Sequence, residues 1–276
     1  MKILGFVSLA AIAAMAVSAS AATAATEVEL KDMAAKVVVQ PENRADVELK
    51  VVYGNAKVPV IMVHTENDTF IADGKLWHKN LNCRDNGVAI DGMGTVAQAD
   101  LPTVYIKVPM DAKVSAGGAT FGTLGASSTL EFSQGGCGDW KLGDVAGKSE
   151  VNIGGSGNVN AGGAGDAEIN IGGSGNYTGT SVAKMEANIG GNGDIDIARI
   201  NGDGEVNIGG SGNVKVDDGA MSRMEVNIAG SGDVRFGGTA GELEVNIVGS
   251  GDVRVKAVTG NVSKTVLGSG HIIIGQ

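Results

Sequence analysis

Seven glutamates recur at near-fixed spacing: Glu131, Glu150, Glu168, Glu186, Glu205, Glu225 and Glu244. Carboxylate oxygens are the donors that calcium prefers. Stacked about 5 Å apart they repel by roughly 0.8 kcal/mol per neighbouring pair in water before screening. A bound divalent cation would relieve that repulsion. The series therefore has two readings: a solvated face that blocks aggregation, or a row of weak Ca2+ sites that bridges the protein to anionic glycans. Beyond weak Ca2+, no cofactor is expected. The run Gly190-Gly191-Asn192-Gly193-Asp194-Ile195 approaches the calcium nonapeptide GGxGxDxUx, but its acid falls one place early and Ile195 takes the ligand position. The chain has two cysteines, Cys83 and Cys137. In an exported chain such a pair predicts a disulfide, here pinning an N-terminal region to a glycine corner. His64, His78 and His271 stand apart, and no nucleophile–base motif occurs, so no catalytic residues are assigned.

The elements that carry the glutamates are repeats. EVNIGGSGNV at 150–159 returns with its asparagine at Asn152, Asn170, Asn188, Asn207, Asn227 and Asn246, and Thr265 closes the series. The steps are 18, 18, 19, 20, 19 and 19 residues, with Ser133 and Ser115 in phase upstream. A period of this size means a solenoid. Each unit has two alternating runs separated by a glycine corner, and alternation at period two is a strand with one buried face. The corner glycines are read as supplying positive φ. Val151, Ile169, Ala187, Val206, Val226 and Val245 should form one core column, and Ile153 to Ile247 its partner. After the corner, the columns led by Trp140 and Leu142 should complete the core.

The GSG(D/N)V corner, flanked by V-x-I and V-x-V runs, resembles the head GIN domain family of putative autotransporter adhesins over roughly 114–276. That resemblance implies a β-helical, exported protein and brings no catalytic residues with it. The expected architecture is all-β: a single-stranded parallel β-helix of 18–20-residue coils, right-handed because the hexapeptide pattern of left-handed helices is missing. Residues 1–25 read as a signal peptide, with Lys2, an apolar run and Ala-x-Ala cleavage sites. Residues 26–112 read as a β-rich capping region whose repeats are absent or worn away, and 113–276 as the GSG-repeat helix. No segment after the signal is long and apolar enough to span a membrane as a helix.

Composition narrows the partners. Glycine numbers 45 of 276 residues, about twice the ~7% of ordinary proteins, without the every-third-residue spacing of collagen. The net charge is −10 and no basic patch is interleaved with aromatics, which excludes nucleic acid. With two Trp and three Tyr on short, uniform coils, the platforms of a carbohydrate-active enzyme are missing. The expected function is a non-enzymatic solenoid of the bacterial cell envelope, periplasmic or at the cell surface, structural or adhesive. Its partners would be envelope polysaccharide or another envelope protein. The alternatives are a carbohydrate-binding or carbohydrate-active β-helix, and an end-to-end scaffold. The last would use the apolar edge Ile272, Ile273 and Ile274, where a second copy could pair.

Overall fold

The computed structural model describes residues 19–20, 26–84 and 86–275. The expected signal peptide lies outside the described residues except for Ala19–Ser20, which pair antiparallel with Leu49 and Glu48. The described chain is all-β, apart from one 3-10 turn at Gln98–Asp100. It forms a solenoid of about nine turns. Every repeat-bearing strand pairs in parallel with its copy one coil away, marker on marker: Asn152 on Asn170, Asn170 on Asn188, Asn207 on Asn227.

The core columns are those the alternation dictates. Val151, Ile169, Ala187, Val206, Val226 and Val245 are each at most 1% exposed, and Trp140, Val159, Tyr177, Ile195, Val214, Val234 and Val253 are equally buried. Burial pushes the Tyr177 hydroxyl up to about 12. Full burial of each valine or isoleucine in these columns is worth about 1.5–3 kcal/mol. Much of the cover comes from the adjacent coils, so a lone coil would leave these faces wet.

A third side closes each coil, carrying Ala164, Val182, Ile200, Met221 and Ala240 toward the core. This side absorbs the uneven steps. Register shifts fall between Val182 and Met185, between Gly202 and Gly204, and between Val216 and Ala220. Inserted residues bulge there, and the marker strands stay in register.

The corner glycines serve the expected purpose only in part: Gly138, Gly249 and Gly268 have φ of 102°, 151° and 144°. Of Gly154, Gly155, Gly157, Gly172, Gly173, Gly175, Gly190, Gly191 and Gly193, none has φ in the left-handed region. The constraint is contact between coils. The carbonyl of Gly173 points along the stack to accept the N–H of Asn192 at 3.0 Å. A Cβ on Gly191 would lie 2.0 Å from that oxygen, and one on Gly193 would lie 1.9 Å from the oxygen of Gly175. The first glycine of the corner is different: a Cβ on Gly172 or Gly190 meets nothing within 4 Å. The sequence follows the same rule. In later coils the first position becomes Ala229, Val248 and Leu267, while the second stays Gly230, Gly249 and Gly268.

The parallel stack extends below Ala112. Glu27–Lys31 pairs in parallel with Lys113–Ala116 on one side and with Thr69–Asp73 on the other. Ala34–Glu42 lies likewise between Ala119–Leu124 and Thr103–Pro109. Glu27-Val28-Glu29-Leu30 is a worn copy of EVNI, its Glu29 in register with Ser115. This coil is wedged between two segments that follow it in sequence. Antiparallel strands cover its far end: Glu48–Val52 on Thr103–Lys107, and Met62–Glu66 on Thr69–Asp73. They satisfy backbone groups that an open end would leave unpaired. A three-stranded antiparallel arm, Leu81–Arg84, Gly87–Ile90 and Gly94–Ala97, stands apart from the main sheet.

At the other end, Val262–Gly268 and Ile272–Ile274 pair on one side only among the described residues. Ile272 and Ile274 pack on the core and are half-buried, while Ile273 stands in register with Arg254. Lys264 occupies the column of Val245, a core position in every earlier coil of that column. An inward-facing charge on an edge strand opposes pairing with another chain.

Candidate functional site

Two polar ladders run along the stack. In the first, Nδ2 of each marker asparagine donates to Oδ1 of the one before: Asn170 to Asn152 at 2.9 Å, Asn188 to Asn170 at 2.9 Å, Asn207 to Asn188 at 3.0 Å and Asn227 to Asn207 at 3.0 Å. Alternation places the glutamates beside this ladder. Glu131, Glu150, Glu168, Glu186, Glu205, Glu225 and Glu244 stack in register. Asparagines also donate to the glutamate of their own strand, as Asn207 does to Glu205 Oε1 at 3.0 Å.

The glutamate column is diluted, contrary to its appearance in isolation. Lys113 sits in the column itself and meets Glu131 at 2.9 Å. Lys148 reaches Glu168 at 2.8 Å and Glu150 at 3.6 Å, while Arg223 reaches Glu225 at 3.1 Å and Glu244 at 3.0 Å. The Lys148 ammonium holds the Glu168 carboxyl below its ordinary range. The missed signal was two residues upstream of the last six glutamates, where Lys148, Asp166, Lys184, Asp203, Arg223 and Glu242 alternate in sign. Among the described residues, no three acidic, His or Cys side chains converge as a metal-holding group.

The second ladder explains the aspartate or asparagine of the corner motif. Its Oδ1 accepts the backbone N–H of the equivalent residue one coil on: Asn176 from Asp194 at 2.8 Å, Asp194 from Asn213 at 2.7 Å, Asn213 from Asp233 at 2.9 Å and Asp233 from Asp252 at 2.7 Å. Either side chain offers that oxygen, and the two therefore interchange. Asp194, the acid of the near-calcium motif, is engaged in this way and also receives Asn213 Nδ2 at 2.9 Å. His271 occupies the last place, donating its N–H to Asp252 at 2.9 Å. That bond leads the causes that hold the Asp252 carboxyl below its ordinary range. His64 lies on a cap strand and His78 stacks beside Trp77, so the three histidines do not form a site.

Cys83 and Cys137 form a disulfide across a sequence separation of 54 residues. It joins the antiparallel arm to the corner before Trp140. On the chain-entropy model a loop of this length stabilises by about 4 kcal/mol.

Parallel coils with uncovered ladder faces and tight glycine corners define a class, the non-globular β-solenoids. The resemblance seen in the repeat is borne out in the last coils. Residues 197–275 match a family described as "Putative auto-transporter adhesin, head GIN domain". A crystal structure of a "putative adhesin" from Parabacteroides distasonis ATCC 8503 covers 95% of this chain and 98% of its own, at 15% identity and TM-score 0.51. That likeness shows the fold. A "putative lipid binding protein" from the same strain covers 95% and 97% at 17% identity and TM-score 0.48. A "putative adhesin" from Bacteroides fragilis NCTC 9343 covers 94% and 97% at 13% identity and TM-score 0.43. No curated protein matches the sequence.

Proposed function

We propose that the protein is an exported, non-enzymatic β-solenoid of the bacterial cell envelope, periplasmic or surface-exposed, with an adhesive or structural role. One observation carries this reading: asparagines repeat in six successive coils as a half-buried, outward-facing ladder. Such a surface can meet a polymeric partner at many equivalent points, and weak contacts then sum. The family match of the last coils and the alanine-rich N-terminal stretch support the exported location. No helix of the described residues is long and apolar enough to cross a membrane.

The glutamate face we read as a solubility device rather than a calcium site, because Lys113, Lys148 and Arg223 already neutralise part of it. Calcium at matched ionic strength should raise the melting temperature no more than sodium does. Co-sedimentation with isolated envelopes tests the role. Purified protein should pellet with envelopes and be released by excess soluble envelope polysaccharide or by prior proteolysis of the envelopes. Recovery entirely in the supernatant, at every salt concentration, counts against adhesion.

A further inference from the structure

The antiparallel arm and the early coils enclose a cleft of about 660 Å3 beside the disulfide. That volume falls within the ordinary range of ligand pockets. Its two walls belong to different parts of the fold. Asn82, Arg84 and Gln98 come from the arm and the turn after it, while Thr123, Asp139, Lys141 and Asn158 come from successive coils. Cys83 and Cys137 both line it, so the bond that joins the walls is part of the cleft.

The chemistry of the lining is selective. Arg84 and Lys141 bring two cations into one cleft on a chain of net charge −10, and neither forms an ion pair among the described residues. A carboxylate between them would find its charge-assisted donors. Asp139 sets a second condition. Its Oδ1 already accepts Asn158 N and Nδ2, at 3.2 and 3.0 Å, leaving the other oxygen without a donor among the described residues. A ligand made only of acceptors would be repelled there, so the ligand must also carry hydroxyl donors. Asn82, Gln98 and Thr123 can each donate to and accept from hydroxyls. The half-buried Phe121 ring offers an apolar surface for a sugar face.

We propose that this cleft is a binding site for an acidic saccharide, a uronic acid unit of a polysaccharide, with its carboxylate between Arg84 and Lys141. The proposal deepens the adhesive reading and rests on it only for where the protein meets its ligand. The test therefore uses pure oxidised protein and no cells.

Titration calorimetry with digalacturonate and diglucuronate, against cellobiose and sodium acetate, gives the readout. At least one uronate should bind at least ten times more tightly than both controls. Arg84→Gln and Lys141→Gln should each weaken it at least fivefold with an unchanged circular dichroism spectrum. The paired variant Cys83→Ala with Cys137→Ala frees the arm and should weaken binding while the coils keep their spectrum. Equal binding of cellobiose, equal binding of acetate, no binding of either uronate, or full affinity in both charge variants would each overturn the proposal. None of those results bears on export, which cell fractionation decides separately.

Discussion

Adjacent glycines in one corner should respond oppositely to the same substitution. In Gly191→Ala the new Cβ would sit 2.0 Å from the Gly173 oxygen. Carbon–oxygen contacts normally begin near 3.3 Å. The coils must therefore part by roughly 1.3 Å at that point, which strains or breaks the bond from Asn192 N–H to Gly173, now 3.0 Å. Overpacking of this kind costs about 1–3 kcal/mol. Asn192 is exposed, so its N–H can turn to water and the lost bond adds only about 0.5–1.5 kcal/mol. The expected loss is thus about 1.5–4.5 kcal/mol. In Gly190→Ala the Cβ enters open space, and φ lies outside the left-handed region. There alanine restricts the unfolded chain and should stabilise by about 0.4–1 kcal/mol. Urea unfolding followed by far-ultraviolet circular dichroism measures both. Midpoints for the two variants that agree within about 0.5 kcal/mol, a difference near the error of such measurements, would refute the argument that coil-to-coil contact selects glycine here.

Other expectations follow from the ladders and the open end. Asp194→Asn keeps the acceptor for Asn213 and should leave the urea midpoint nearly unchanged, whereas Asp194→Ala should cost about 1–2 kcal/mol. Glu168 and Asp252 have carboxyl pKa values depressed in the folded state, so the stability they add is present above the ordinary carboxylate range and lost as pH falls through the depressed values. The melting temperature should be level from about pH 5 to 7 and fall below about pH 4; Lys148→Met returns Glu168 toward its ordinary range, so it should lower the level part and make the fall shallower. Lys264→Val removes the charge from the last core column, and light scattering should then show association that the parent chain lacks at equal concentration.

The repeat exposed most of the fold because its apolar columns have only one consistent stacking. Val151 to Val245 and Trp140 to Val253 could be followed by eye, and all are buried. The third side was less legible. Bulges interrupt its spacing, so Val182, Ile200 and Met221 do not recur at one step. The wedged coil was hidden for a topological reason: its copy of the motif, EVEL at 27–30, is followed by an excursion of some seventy residues before the next coil in the stack. Positive φ was legible for Gly138, Gly249 and Gly268, but the role of the other corner glycines was not, because a single coil shows only local geometry while the clash arises from the coil beside it. The cleft was invisible for the same reason, since Arg84 and Lys141 line one cleft only when the arm lies against the coils, where the disulfide holds it. The cysteine pair itself was legible, because both partners were the sole cysteines of the chain.

Cell fractionation combined with protease treatment of intact cells tests the central claim most directly. The account predicts that the protein is found in the periplasmic, envelope or extracellular fraction, shortened by the leader, and that any surface-exposed portion is cleaved while a cytoplasmic marker stays intact. Full-length protein confined to the cytoplasm and untouched by protease would contradict it.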